Sequence, residues 1–310
     1  MKIEPVVNTL SCPKCGAIEQ HGESCLDCGI VFHKYTGRSG SNPKSSRLSI
    51  RQPDTSFPYR ILTRLSQLSL LTSLLLLLLS YHQQSNLPPA DFYNGIALPD
   101  PVQTDTSVAP FEIASNGIVY TINPVQDYQL QGVVVSFHDS DAWWDIYHHS
   151  SWQDFINIKD ICVIWGDNVA SGIYQKMVFE NTTWTCWASW PDRATGRQFS
   201  MHQLSNNHLL VGDPLIREIA DRVQIGDRIR IDGVLASYSH SNGKFTRGTS
   251  TSRTDTGNGA CETIYVYDFA IEKRAHPGWR KINLLARWIA AISFLSILVL
   301  VFKAPVAFKG

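Results

Sequence analysis

Residues Ile61–Tyr81 are the stretch that most limits how this chain can fold. Their sequence is ILTRLSQLSLLTSLLLLLLSY, in which six consecutive leucines, Leu74 to Leu79, leave no polar face. A helix of roughly 20 apolar residues spans the hydrocarbon core of a bilayer. The stretch therefore predicts a transmembrane helix over residues 61–81, and the chain is expected to be a membrane protein with several domains.

A second apolar run, INLLARWIAAISFLSILVLVF, predicts another transmembrane helix over residues 282–302. Basic residues concentrate on the cytoplasmic side of membrane helices. Four of them lie between residues 44 and 60, before the first helix, and none between 82 and 101. This bias predicts a two-pass inner-membrane protein with both termini in the cytoplasm and a periplasmic central domain. The second helix alone predicts the opposite orientation, because five basic residues lie between 273 and 287.

Four cysteines precede the first apolar run as two C-x2-C pairs with nine residues between them. Each pair is followed by a glycine, Gly16 or Gly29, which supplies the positive φ that a tight turn requires. Four thiolates close a tetrahedral zinc site, and metal binding then supplies the folding free energy of so short a module. The spacing predicts one structural zinc ion, with two disulfides or a redox pair as alternatives. The expected ligands are Cys12, Cys15, Cys25 and Cys28.

The motifs CPKCG and CLDCGIVFHKY resemble a small zinc ribbon found at the N-terminus of various bacterial inner-membrane proteins. That family reads CPxCG, then CxxCGI-hydrophobe-F-x-K-Y, and the resemblance covers residues 10–36. The family has no single activity, so the resemblance implies a cytoplasmic docking module. Residues 37–60 are rich in Ser, Gly, Pro and Arg and predict a flexible basic linker.

Residues 105–275 predict a mainly-β domain, preceded by a Pro-rich stalk over residues 82–104; residues 303–310 form a tail. Asp213-Pro214 predicts the start of one helix, and Ser140 or Asp141 the start of another that runs to Phe155. Valine-rich, alternating or short apolar runs indicate the strands. These strands are 128–137, 160–165, 176–180, 183–190, 228–238 and 262–272.

The segment GDRIRIDGVLASY, a strand with an internal glycine, resembles OB-fold barrels. An OB-like five-stranded barrel is therefore the expected fold of the central domain, and a β-sandwich is the alternative. The region, with the segments SNNHLL and RGTSTSRTDTGNGACET, also resembles uncharacterised bacterial membrane proteins, a resemblance that implies no activity.

Two polar segments of this domain are candidates for ligand binding. The loop from Thr246 to Glu262 combines two arginines with hydroxyls and glycines, a set that can wrap an anion. The segment from His202 to His208 can bind a metal or relay a proton. The alternatives are a loop pinned by its own Asp255 and Glu262, and a turn held by asparagines. The candidate residues are His202, Asn206, Asn207, His208, Arg247, Thr249, Ser250, Arg253 and Asp255.

A third cluster of histidines and aspartates follows the first valine-rich strand. Such clusters ligate transition metals, although a solvated helix surface is the alternative. Asp145, His148 and His149 are spaced i, i+3 and i+4, which places them on one helical face. The cluster comprises His138, Asp139, Asp141, Asp145, His148 and His149.

Three cysteines lie in the central domain. In an extracytoplasmic domain two of them are expected to form a disulfide, and Cys186–Cys261 is the favoured pair because both lie on or beside strands. Buried free thiols are the alternative. The third cysteine, Cys162, is then left over.

The formal net charge is zero, so no nucleic-acid partner is expected. The expected function is that of a membrane-anchored binding or scaffold protein, with the lipid bilayer and an unknown protein or ligand of the envelope as partners. A membrane-bound hydrolase that uses His202, His208, Arg247 and Arg253 is the alternative. It requires those four side chains to converge on one pocket.

Overall fold

The computed structural model describes residues 11–18, 23–35, 56–93, 98–242, 245–255 and 260–303. It divides into two compact units, residues 1–54 and 55–310. In the first unit the two C-x2-C segments form equivalent turns, in which the N–H of Gly16 donates to Cys12 and that of Gly29 donates to Cys25. Both glycines have positive φ, as the spacing predicted. Most of the predicted linker lies outside the described residues.

Two long helices belong to the second unit, α1 (Ser56–Ser85) and α5 (Pro277–Lys303). Both are long and apolar enough to cross a membrane. They pack antiparallel, because Ser69 meets Ser293 at one level and Ser80 meets Asn283 at another, with distances of 2.9 and 2.8 Å. Most leucines of α1 face outward. Small and hydroxyl side chains at the interface let apolar helices approach closely, as in membrane proteins.

Between α1 and α5 the described residues form ten strands and three short α-helices. The helices are α2 (Gly166–Ala170), α3 (Arg193–Gln198) and α4 (Pro214–Asp221). The strands are β1 (Val102–Asp105), β2 (Phe111–Ser115), β3 (Ile118–His138), β4 (Asn157–Ile164), β5 (Val178–Thr182), β6 (Thr185–Ser189), β7 (Leu204–Leu210), β8 (Arg228–His240), β9 (Thr246–Arg247) and β10 (Glu262–Lys273).

The central domain is thus mainly β, as predicted. Five of its strands pair in a circuit, in the order β3, β4, β7, β10, β8 and back to β3. The circuit is uneven: β3 and β8 pair over most of their length, whereas β7 and β10 pair in parallel over only four residues. A β-bulge interrupts the pairing of β10 with β8 beside Gly233, and Tyr267 of β10 is the extra residue.

Apolar side chains from the five strands fill the space inside the circuit. They include Leu130, Ile161, Leu209, Ile231 and Ile264, all fully buried. Gly132 allows β3 to approach β4, because a Cβ there would lie 2.2 Å from Val163. A smaller apolar cluster around Tyr120 and Tyr238 lies elsewhere in the domain.

Three local expectations need comment. Helix α4 begins as predicted, with an Asp213 carboxylate oxygen accepting from the Leu215 N–H at 2.7 Å. The prediction of a helix that runs to Phe155 is wrong, since only a π-helical turn, Tyr147–Ser151, forms in this segment. The expected stalk packs on the domain instead of extending, because Tyr93 and Leu98 are buried in its core.

Candidate functional site

The four N-terminal cysteines converge on one point and can hold a metal ion. The Sγ atoms of Cys12 and Cys28 lie 3.6 Å apart, as do those of Cys15 and Cys25. With Zn–S bonds of about 2.3 Å, the edge of a zinc tetrahedron is about 3.8 Å. The spacing of the sulfurs is therefore compatible with a metal site of four thiolates.

A buried polar network covers one face of β4 and β7 in the central domain. Asp160 and His208 are fully buried, and the His208 Nδ1–H donates to the Asp160 carboxylate at 2.6 Å. Arg247 donates to Nε2 of the same ring at 2.5 Å. Both ring nitrogens of His208 are therefore occupied, which leaves neither free for a substrate.

The electrostatics of this network fix the charges of its members. Burial by itself raises the pKa of Asp160, but His208 and Arg247 outweigh burial and lower the pKa to about 2. Burial lowers the pKa of His208, and Arg247 lowers it further. The neutral imidazole of His208 thus lies between the ionised carboxylate of Asp160 and the guanidinium of Arg247. Arg247 also lies over the ring of Trp184, with 3.5 Å between Cζ and the centroid.

The second predicted pair, His202 and Arg253, lies in different surroundings. His202 is exposed, and its Nδ1 contacts the backbone oxygen of Arg253 at 2.9 Å. The Arg253 guanidinium donates to Gln103 at 2.6 Å and lies 3.6 Å from Glu262. The four residues required by a hydrolase are therefore engaged with the protein itself, and two of them, His208 and Arg247, contact each other at a partly buried position.

The remaining predicted ligand-binding residues also make internal contacts. Ser250 donates to Asp255 at 2.6 Å, and Thr249 accepts from the N–H of Thr263. Asn206 donates to the backbone oxygen of Trp184, and Asn207 to that of Ile161. These contacts favour the alternative of a self-pinned loop, and the ligand-binding role of these residues stays a prediction. Gly257 and Gly259 of the loop lie outside the described residues.

Glu262 is a buried carboxyl whose environment is poorly suited to a charge. Its Oε2 has no hydrogen-bond partner among the described residues. Burial outweighs the attraction of Arg253 and raises the pKa of Glu262 to about 8. This group stabilises the fold fully below its unfolded pKa of 4.5, and the contribution is lost as the pH rises through about 8.

We therefore expect Glu262→Gln, which mimics the protonated carboxyl, to match wild type at pH 4.5 and to have the higher melting temperature at pH 9. Thermal unfolding of the detergent-solubilised chain at both pH values measures this. Glu272→Gln is the matched control, since Glu272 pairs with Arg228 near the surface. A difference between wild type and Glu262→Gln that does not change with pH contradicts the assignment.

The expected disulfide between Cys186 and Cys261 is wrong. Cys186 is bonded to Cys162, with 5.8 Å between their Cα atoms, and Cys261 is a free thiol. Cys162 on β4 lies opposite Asn206 on β7, and the Asn206 amide contacts the Cys261 thiol at 3.6 Å.

The third predicted cluster divides into two groups. His138 Nε2 and His148 Nδ1 lie 2.7 and 2.8 Å from the same carboxylate oxygen of Asp145. His149 instead lies near Asp141 and stacks on a phenylalanine ring. The two adjacent histidines therefore have different partners.

Sequence reasoning missed Asp160 and Trp184 as members of the polar network. Asp160 lies within a short apolar run, and Trp184 is at the turn of the β5–β6 hairpin with a φ of 75°. A charged residue inside a buried strand is a signal for such a network, because charges are rarely buried without a partner. Nothing in the sequence marks Trp184.

Two clefts lie at the surface of the domain. One has a volume of about 490 Å³ and is lined by Trp152, His240 and Phe245 with neighbouring residues. The other has a volume of about 470 Å³ and is lined by Asp141, His149 and Arg217 among others. Neither is lined by the four residues of the hydrolase alternative.

The described residues thus contain two main features. One is a cluster of four cysteines that can bind a metal ion, and the other is a mainly-β domain joined to two long apolar helices. Comparison of the chain with protein-family models, curated proteins and solved structures finds no match.

Proposed function

We propose that this chain is a two-pass inner-membrane protein with a cytoplasmic zinc ribbon and a periplasmic OB-like domain that binds an envelope protein. One observation carries the proposal: the two parts of the chain hold their cysteines in different oxidation states. Cys162 and Cys186 form a disulfide, whereas the four clustered N-terminal cysteines are free thiols. Disulfides persist in oxidising compartments and free thiols in the cytosol, so the two segments suit opposite sides of a membrane.

The helix pair supports this arrangement. Because α1 ends and α5 begins at the central domain, the domain lies at one end of the antiparallel pair. His276, at the start of α5, contacts the backbone oxygen of Asn86 just after α1 at 2.7 Å. A bilayer around the pair would cover the outward-facing leucines, whose exposure to water is otherwise unfavourable. The resemblance of residues 10–36 to ribbons of bacterial inner-membrane proteins agrees with this arrangement.

The strand circuit supports the OB-like assignment. An OB fold is a five-stranded, partly open Greek-key barrel. Here five strands pair in a circuit, and α4 connects β7 to β8. The uneven pairing of β7 with β10 corresponds to a partly open barrel, which the β-sandwich alternative does not explain.

The turn that follows β3 supports binding of a protein. Trp143, Trp144 and Ile146 are 83%, 62% and 61% exposed, although such side chains are normally buried. Exposed aromatic clusters mark interaction sites, and tryptophan is enriched where interfaces gain most energy. Residues 138–152 contain no Lys or Arg, which a lipid-binding surface would carry, so a protein partner is favoured over the bilayer.

The internal contacts of the hydrolase candidates favour binding over hydrolysis. A histidine that acts as a general base needs a ring nitrogen that is free to accept a proton. His208 has both nitrogens engaged inside the protein.

Sidedness is tested by reporter fusions. Alkaline phosphatase joined after Asn86 is expected to be active and a fluorescent protein at the same point dark, because the junction would lie in the periplasm. The full-length chain with a fluorescent protein after its last residue is expected to be bright. The reverse pattern at both junctions would place the disulfide-bonded domain in the cytosol and reject the proposal.

Binding is tested by cross-linking in intact cells with a photoreactive amino acid at position 146. A discrete cross-linked protein band is expected, and Trp143→Ala/Trp144→Ala should abolish it without lowering the melting temperature. Trp187→Ala, at another exposed tryptophan, is the matched control and should retain the band. Cross-links to lipid alone, or a band that persists in the double variant, would contradict a protein-binding role for this turn.

A further inference from the structure

We propose that His138, Asp145 and His148 form a second metal site, in the central domain, for a divalent transition-metal ion. The three ligand atoms all lie within 4.8 Å of one another. They come from three consecutive pieces of structure: the end of β3, the turn that follows it, and the π-helical turn. This site is separate from the four-cysteine cluster and does not depend on the proposed binding partner.

The donor set determines which metal suits the site. Two imidazole nitrogens and one carboxylate oxygen favour ions such as Zn²⁺, Ni²⁺ or Cu²⁺ over Ca²⁺ and Mg²⁺, which prefer oxygen ligands. Metal bonds of 2.0–2.1 Å in a tetrahedron require ligand atoms about 3.3 Å apart. The observed separations from the Asp145 oxygen, 2.7 and 2.8 Å, are shorter by roughly half an ångström, so small side-chain rotations would admit the ion.

The Asp145 carboxylate is held in place by the backbone. Its second oxygen accepts from the N–H of His148 at 3.2 Å, so the turn itself orients the first oxygen toward both rings. Asp145 and His148 are buried, whereas the His138 side chain retains 21% exposure. Three protein ligands with one accessible side leave a coordination position for water or an exogenous ligand, an arrangement typical of reactive or exchangeable sites.

The far side of the His148 ring favours a metal over a simple hydrogen-bonded triad. In a metal-free triad, a neutral His148 donates its Nδ1–H to Asp145 and leaves a bare lone pair on Nε2. That atom is buried and has no hydrogen-bond partner among the described residues, which is unfavourable. A metal on Nδ1 instead requires the hydrogen on Nε2.

Two tryptophan rings enclose the His148 imidazole. The His148 ring is flanked by Trp184, with centroids 4.5 Å apart, and by Trp152, at 5.1 Å and nearly perpendicular. Aromatic faces are electron-rich and accept N–H donors. The same two rings restrict rotation of the imidazole, which pre-orients Nδ1 toward Asp145.

Metal stoichiometry tests the proposal. The full-length chain in detergent is incubated with Zn²⁺, desalted and analysed by mass spectrometry of the metal. Wild type is expected to retain two ions per chain, and Cys12→Ser/Cys15→Ser, which disables the ribbon, one. Adding His138→Gln to the ribbon variant should remove the remaining ion, whereas adding His149→Gln, at the adjacent histidine, should retain it.

Cobalt provides a second measurement that separates loss of the site from loss of the fold. Co²⁺ bound to the ribbon variant is expected to show d–d absorption without the thiolate charge-transfer band, since its ligands are nitrogen and oxygen. This absorption should disappear with Asp145→Asn at an unchanged melting temperature. The proposal is overturned if the ribbon variant retains no ion after desalting, or if His138→Gln and Asp145→Asn bind as well as their parent.

Discussion

Asp227→Ala is expected to lower the free energy of unfolding of the central domain by about 3–5 kcal/mol, because it removes a buried acceptor shared by three donors. The Asp227 carboxylate accepts from the N–H of Ala275 at 2.7 Å, from that of Gln224 at 3.0 Å, and from Arg280 of α5 at 2.6 Å. The variant leaves all three without their acceptor at the point where the last strand passes into the helix.

The same site allows the charge to be separated from the hydrogen bonds. Burial outweighs the attraction of Arg280 and raises the pKa of Asp227, so its charge is poorly compensated. Asp227→Asn keeps one acceptor oxygen and should therefore lose only about half as much stability as Asp227→Ala. Thermal and denaturant unfolding followed by tryptophan fluorescence measure both variants.

The control is Asp268→Ala, which breaks a surface ion pair with Arg230 and is expected to cost less than about 1 kcal/mol. If Asp227→Ala costs no more than this control, the junction does not depend on the carboxylate. If Asp227→Asn costs as much as Asp227→Ala, the charge matters more than the acceptors, and the expected order is wrong.

Local signals in the sequence were sufficient for the parts that depend on near neighbours. The C-x2-C pairs, the apolar runs and Asp213-Pro214 each specify a short segment whose geometry depends on adjacent residues. The structure accordingly brings the four cysteines together and forms both long helices and α4. The helix bounds differ from the predicted ones because α1 and α5 continue past the apolar residues at either end.

The candidate site could not be predicted in the same way, because its contacts depend on strand register. Asp160 and His208 lie 48 residues apart and meet because β4 and β7 place them directly opposite each other. The pairing of Cys162 with Cys186 depends on the same register. A shift of one residue would turn each of these side chains to the other face, and single-sequence patterns do not specify register to that precision.

The prediction that Asp145, His148 and His149 share one helical face is wrong for a related reason. The i, i+3, i+4 spacing assumes an α-helix, but the chain forms a π-helical turn that directs His148 inward and His149 toward Asp141. His138, which precedes the turn, completes the inward group instead. Two tryptophan rings, Trp152 and Trp184, flank the His148 ring of that group.

Asp160→Ala is expected to cost about 3–5 kcal/mol or to prevent folding of the central domain, because it leaves three donors in the interior without their acceptor. Besides His208, the carboxylate accepts from the Asn157 side chain at 3.0 Å and from the Trp184 N–H at 3.3 Å. Loss of these contacts would also release the hairpin that carries Trp184. Asp105→Ala, at an exposed aspartate of β1, is the control and should be neutral.

The pH dependence identifies the network more specifically than the size of the loss. Because the pKa of Asp160 is lowered from 3.8 to about 2, its stabilisation is present above pH 3.8 and is lost as the pH falls toward 2. Because the pKa of His208 is lowered from 6.5, protonation of the unfolded chain begins to favour unfolding below pH 6.5. Wild type should therefore lose stability below pH 6.5 and lose more below pH 3.8. Asp160→Asn should lack the second loss, so its melting temperature should approach that of wild type between pH 3.8 and 2. Parallel curves for the two proteins over that interval would show that Asp160 is not ionised in the folded domain.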